Sequence, residues 1–153
     1  IARRIMICAS EDVGNADPQA LQVAVAASLA AERLGMPEAQ IVLSQAATYV
    51  ASAPKSNAAY MAVFDAMETV RGARTPVIPA HLQDSHYKSS AKLGRGVGYL
   101  YAHDYPDHYA AQQYLPDEMA DAVFYRPAES GYEKNIREYL HKVAEWKKDG
   151  RHS

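Results

Sequence analysis

The stretch Ile7-Cys8-Ala9-Ser10-Glu11-Asp12-Val13-Gly14-Asn15-Ala16-Asp17-Pro18 decides the fold, because one amphipathic helix ends and a second begins inside it. Upstream and within it, Ile5, Cys8, Ala9 and Val13 fall close to the i, i+3, i+4 spacing of a buried helix stripe. Gly14-Asn15 stops that helix, since both residues tolerate the left-handed backbone that closes one. Asp17-Pro18 opens the next, with Asp17 as the capping side chain and Pro18 at the first helical position, where a missing N–H costs nothing. Glu11, Asp12 and Asp17 therefore read as a corner rather than as a metal or acid–base cluster. Adjacent residues on a helix with about 3.6 residues per turn point in different directions, and Asp17 is already engaged in capping.

Downstream, the segment LQVAVAASLAAERLG, Leu21 to Gly35, is apolar around most of its circumference, which predicts a central helix packed on several sides and closed by Gly35. Ala24, Ala27, Ala30 and Ala31 predict close helix packing, toward the short end of the usual interaxial range of about 8–10 Å. Pro37 starts a further helix carrying Ile41, Val42, Leu43, Tyr49 and Val50 as far as Pro54. Ser56 or Asn57 caps the next one, whose apolar face is Ala59, Val63, Ala66, Met67 and Val70 before Gly72. Short connections imply antiparallel neighbours, so residues 1–72 read as a helical array.

The texture changes over residues 73–128. Pro76, Pro79, Pro106, Pro116 and Pro127 interrupt every pattern except a short helical one near 84–93, and Tyr99, Tyr101, Tyr105, Tyr109, Tyr114 and Tyr125 fall in irregular chain. This segment reads as a long Tyr/Pro-rich strap over the bundle, its rings laid on helices and its hydroxyls hydrogen-bonded. Stacking on nucleobases is an alternative use of the same residues. Over 129–149 a helical period returns, with Tyr132, Ile136, Tyr139, Leu140 and Val143 as a docking stripe. Lys134, Arg137, Glu138, Lys142, Glu145 and Lys148 form its solvated face, and the helix is expected to fray from Lys147. The fold class is all-α: a multi-helix array, then the irregular strap, then a C-terminal helix.

At 153 residues a single domain is the simplest division. Hydrophobic residues at 48% and charged ones at 22% exclude a disordered tail, and a net charge of −2 argues against a domain that coats DNA while allowing a local basic patch. The lone cysteine, Cys8, leaves no internal disulfide and sits on an apolar stripe as a buried thiol, which fits a cytosolic chain. No apolar run reaches the roughly 20 residues that a bilayer needs, so no membrane partner is expected. The chain enters a helical pattern at Ile1-Ala2-Arg3-Arg4 with neither Met nor cap, and is expected to be a fragment lacking an upstream domain.

Chemical motifs are sparse. GxxxxGK[ST] is absent, so no phosphate cradle, cofactor-binding residue or ATP hydrolysis is assigned to this stretch. Gly94-Arg95-Gly96-Val97-Gly98 has no strand before it and no helix after it, and reads as a turn. In His103-Asp104-Tyr105-Pro106-Asp107-His108, Pro106 breaks i, i+4 ligand geometry, so no metal ligand is assigned and His103 or Asp104 is expected to bond the strap backbone. A metal-dependent enzyme centred on His103 and His108 is the alternative. No catalytic residue is assigned: Cys8 lies on a core face, and no GxSxG elbow exists. Lys88, Lys92 and Arg95, with Arg71 and Arg74 nearby, form a candidate DNA contact through phosphate, or else a solvated face.

Six blocks in order carry a resemblance: Ile1–Leu21, Ala51–Tyr60 (ASAPKSNAAY), Tyr101–Pro106 (YAHDYP), Tyr114–Glu118 (YLPDE), Phe124–Pro127 (FYRP) and Gly131–Lys134 (GYEK). Together they resemble the C-terminal domain of the MgsA/RarA family of replication-associated AAA+ ATPases, relatives of the Werner helicase-interacting ATPase, over essentially the whole chain. Asp107 and His108 depart from that family's pattern of small residues after the proline. The resemblance implies an all-α domain related to the clamp-loader collar, non-catalytic in isolation, through which the parent assembles as a homotetramer. It implies ATP and Mg in the missing upstream domain, and a bacterial cytoplasmic, nucleoid-associated parent that acts on DNA at stalled forks beside single-stranded-DNA-binding protein. The alternative function is a DNA-binding module using Lys88, Lys92, Arg95 and the strap tyrosines.

Overall fold

The computed structural model describes residues 1–72, 77–83 and 95–149. Five α-helices follow one another: α1 (Ala2–Cys8), α2 (Gln19–Leu34), α3 (Ala39–Ser52), α4 (Ala58–Gly72) and α5 (Glu133–Asp149). No strand occurs among the described residues, and the fold is all-α. The chain divides into two compact units, Ile1–Met67 with Phe124–Tyr139, and Glu68–Val123 with Leu140–Ser153.

The first corner forms as its residues dictate. α1 continues through one wide π-turn, Ala9–Val13, and ends at Gly14, whose φ of +52° suits a residue without a side chain. Asp17 is extended, its Oδ1 accepts the Gln19 N–H at 3.0 Å and its carbonyl accepts the Ala20 N–H at 3.1 Å, so it caps α2 with Pro18 in the opening turn. Its Oδ2 accepts the Tyr49 hydroxyl at 2.9 Å, which ties the start of α2 to α3. Past the other end of α2, Gly35 donates its N–H to the Ala31 carbonyl at 3.0 Å.

Packing in the first unit centres on Ala9, Val13, Ala20, Ala24 and Val50, with Ile5, Met6, Cys8, Tyr49 and Ala53 against them. Among the described residues, eight of the ten buried apolar ones are alanines, while large apolar side chains stay outside. This corrects the expectation for α2. It buries one face only, through Ala20, Ala24 and Ala27, and leaves Leu21, Val25 and Leu29 exposed as an i, i+4, i+8 row. The reason is geometric: α2 and α3 meet through small side chains, which bring the backbones close and leave no space between them for a leucine. α3 follows the same rule, burying Ala39, Ala46 and Val50 while Ile41 is exposed. Cys8 is half-buried rather than buried. Its thiol is pushed up by a hydrogen bond with Asp12 and by burial, which lowers its reactivity at neutral pH.

α4 and α5 also depart in detail. α4 buries no residue; Ala59 and Ala66 of its expected face are half-buried, but Val63, Met67 and Val70 are exposed. In α5, Ile136 and Val143 are half-buried together with Trp146, whereas Tyr139 and Leu140 are exposed, as is Tyr132 just before the helix. The helix runs to Asp149, with Lys147 and Lys148 in its last turn, where cations complement the helix dipole.

Outside the helices, the described part of the strap forms only short 3₁₀ turns, Ala80–Leu82, Ala102–Asp104, Pro106–His108 and Asp117–Met119. Within the second unit, glutamine amides carry much of the order expected of tyrosines. Gln112 accepts the Leu100 N–H at 3.1 Å and donates to the Leu100 carbonyl at 2.7 Å, so a side chain replaces a sheet pairing. Gln113 donates to the Leu115 carbonyl and to Asp117, both at 2.8 Å. Of the tyrosines, Tyr109 meets Trp146 at 5.8 Å between ring centroids, whereas Tyr99, Tyr101 and Tyr114 remain about half exposed. The helix expected near 84–93 lies outside the described residues.

The alanine core sets a test. Ala24→Leu is expected to destabilise the chain by about 1–3 kcal/mol through overpacking, whereas Ile41→Ala is expected to stay within about 0.5 kcal/mol because that side chain is exposed. Urea denaturation followed by circular dichroism measures both.

Candidate functional site

The most connected polar group of the first unit is the Glu133 carboxylate at the start of α5, fully buried. Oε2 accepts the Ser56 hydroxyl at 2.6 Å and the Ala128 N–H at 2.7 Å, and Oε1 accepts the Tyr125 hydroxyl at 2.8 Å. All three neighbours donate, which complements an acceptor-only carboxylate at a helix N-terminus. Tyr125 in turn accepts from Asn15 Nδ2 at 3.2 Å, and Ser56 Oγ accepts the Ala58 N–H at 3.2 Å at the entry to α4. One carboxylate thus joins the α1–α2 corner, the α3–α4 corner and the entry to α5.

Backbone contacts tighten the same junction. The Ser56 N–H donates to the Asp12 carbonyl and the Tyr132 N–H to the Ala16 carbonyl, each at 2.8 Å. A Cβ on Gly14 would lie 2.8 Å from the Ser56 carbonyl oxygen; one on Gly131, at φ +51°, would collide with the Ala16 carbonyl and lie 2.8 Å from Pro54 Cγ. Lys55 caps the end of α3 with bonds to the Val50 and Ala51 carbonyls at 2.8 and 3.2 Å.

Residues 1–144 match the family described as MgsA AAA+ ATPase C terminal. The chain belongs to that family. It is 52% identical over 136 residues to an AAA domain-containing protein of Mycobacterium tuberculosis, covering 89% of this chain and 30% of that protein. It is 43% identical over 146 residues to replication-associated recombination protein A of Escherichia coli K12, covering 95% and 33%, and 36% identical over 126 residues to ATPase WRNIP1 of Dictyostelium discoideum, covering 82% and 14%. The chain thus spans about a third of the length of these two bacterial relatives. In this MgsA-type domain, four of the six blocks that carry the family resemblance meet at the Glu133 junction: the first corner, ASAPKSNAAY, FYRP and GYEK. Their residue choices are those of a fastener. The carboxylate's three bonds are all to the chain's own groups.

The other candidates do not converge. Lys88 and Lys92 lie outside the described residues, and Arg95 opens the turn 95–98, half-buried and engaged in an interaction of its own. Gly96 and Gly98 occupy that turn with φ of +71° and +82°. Among the described residues neither His103 nor Asp104 makes the side-chain bond to the strap backbone that was expected; the His103 ring instead lies tilted between those of Tyr101 and His108, each at 5.1 Å between centroids. Among the described residues no three His, Cys, Asp or Glu side chains are grouped as metal ligands, and no helix is long and apolar enough to cross a membrane. In the second unit a cavity of about 460 Å³ is framed by Tyr109, Gln112, Tyr114, Asp121, Val143 and Lys147. Sequence reasoning missed Glu133, which sits in GYEK as an ordinary first-turn acid; the signal available was its company of Ser, Tyr and Gly in separate blocks.

Two tests follow from the junction. Glu133→Ala leaves three donors unpaired at about 1–3 kcal/mol each, so a loss of at least about 3 kcal/mol is expected, with Glu133→Gln retaining part of it; urea midpoints report both. Burial raises the Tyr125 hydroxyl above its ordinary value of 10.0; the bond from Asn15 opposes this, and donation to Glu133 adds to it. A raised folded value means that this stabilisation is intact below pH 10 and is lost as pH rises through the folded value. Tyr125→Phe is therefore expected to flatten the alkaline fall in stability above pH 10, read from melting temperatures against pH.

Proposed function

We propose that this chain is the assembly domain of a bacterial MgsA/RarA-type AAA+ ATPase, holding four copies of the parent together and catalysing nothing itself. The observation that supports this reading is the inverted distribution of apolar side chains. Alanines fill the interior, whereas Leu21, Val25 and Leu29 on α2 and Tyr60, Val63, Phe64 and Met67 on α4 stand in rows on the outside. Single exposed apolar residues are ordinary, but rows of large ones mark an interaction surface, and obligate interfaces resemble a domain core cut in half. A junction whose bonds are satisfied within the chain suits a rigid platform for such faces.

On this reading ATP and Mg belong to the segments that the longer relatives carry beyond the matched third. The parent then acts on DNA during replication-associated recombination, in the cytoplasm at the nucleoid and beside single-stranded-DNA-binding protein. Family membership and the name of the Escherichia coli relative support the role in replication-associated recombination. The chain's own contribution is to set the number and order of subunits.

Light scattering coupled to size exclusion at micromolar concentration tests the assembly role. The expected mass is four times the 16.8 kDa of one chain. A strict monomer across the concentration range would end the proposal.

A further inference from the structure

Among the exposed faces, α4 carries the most information. Its residues separate into two faces without exception. Ala58, Ala59, Ala62, Asp65 and Ala66 are half-buried, and every other residue from Tyr60 to Arg71 is exposed. The inner face is small, and Asp65 on it is paired with Arg126 at 3.7 Å. Among the described residues no other helix of the chain packs along α4. A helix of 15 residues is marginal by itself in water, so its large apolar face calls for a partner.

That outer face has the spacing of a coiled-coil seam. Tyr60, Phe64, Met67 and Arg71 are separated by four, three and four residues, the alternation of d and a positions, with Val63 and Val70 both at g. Tyr60 and Phe64 already touch, with ring centroids 4.6 Å apart. Two heptads are too short to hold two free helices together, but here each helix is fastened to a folded body before it pairs.

Charge chooses the direction of pairing. A parallel pair would set Arg71 against the partner's Arg71 in one layer, two like charges at close range. An antiparallel pair sets Arg71 over the ring of the partner's Tyr60, and Phe64 against the thioether of the partner's Met67, which are cation–π and sulfur–aromatic contacts. Of these two arrangements, only the antiparallel one makes the sequence complementary to itself.

We infer that the outer face of α4 is a contact between two copies of this chain, paired as antiparallel helices about a two-fold axis passing between residues 65 and 66. This rests on the assembly reading above and supplies one of the interfaces it requires. A two-fold contact uses the same patch on both subunits, and a closed tetramer is built from two such contacts of different kinds.

The test keeps the two proposals apart. In a Cys8→Ser background, Tyr60→Cys with Arg71→Cys is expected to give a covalent dimer under mild oxidation, while Tyr60→Cys alone and Arg71→Cys alone give none. Phe64→Glu with Met67→Glu is expected to lower the mass of the assembly at least two-fold with helicity unchanged by circular dichroism. If the unsubstituted chain is a monomer, the assembly reading fails and this inference with it. If it is oligomeric but its mass survives Phe64→Glu/Met67→Glu, or falls only with Leu29→Glu on α2, assembly stands and the α4 contact is overturned. Crosslinking of either single cysteine overturns the antiparallel register. Should Phe64→Glu/Met67→Glu unfold, the three crosslinking reactions decide the matter.

Discussion

Three donors converge on one buried carboxylate, and the arrangement of the first unit depends on it. Glu133 is distant in sequence from Asn15 and Ser56, yet its two oxygens and the Tyr125 hydroxyl bring all three chain segments to one point. A carboxylate taken from water is costly unless its acceptor sites are filled, and when they are filled it fixes the geometry of every group that fills them. The close approaches follow from this. Gly14 and Gly131 are the residues that let the backbones of the corner, of the α3–α4 turn and of the entry to α5 come near enough for those bonds to form.

That fastening explains how a core made so largely of alanine is sufficient. Each buried alanine removes little apolar area from water, at about 25 cal/mol per Å², so the helices do not gain what leucines at the same positions would give. Part of the specification passes instead to the polar junction and the caps: Asp17 on α2, Ser56 at α4 and Lys55 at the end of α3. Large side chains then remain available for the surface. The inverted pattern is thus one design with two consequences, close helix packing inside and apolar rows outside.

Local rules were legible in the sequence, and burial was not. The corner at Gly14, the cap at Asp17, a cap for α4 at Ser56 or Asn57 and the irregular texture between α4 and α5 all follow from residue chemistry within a few positions. Which face of a helix points inward is a different question when both faces are apolar. In α2 the periodicity of Leu21, Val25 and Leu29 is as good as that of Ala20, Ala24 and Ala27, and only the neighbouring helix decides between them. Glu133 was hidden for a related reason. A first-turn glutamate is common at helix N-termini, and its role exists only once residues 15, 56 and 125 have been brought beside it.

The same ambiguity separates what the family blocks encode from where function lies. Residues that meet at the junction are constrained by one another, so a resemblance built on them identifies the fold and says little about the surface. A surface meant for a second copy is constrained differently: each side chain must fit another part of the same sequence. α4 satisfies that condition, because its two halves are chemically complementary, aromatic at the start and thioether and guanidinium at the end. The α2 row lacks it, being leucine and valine throughout, and fits any apolar partner equally well. Self-complementarity, rather than exposure alone, is therefore the property that distinguishes a symmetric contact from a merely apolar one.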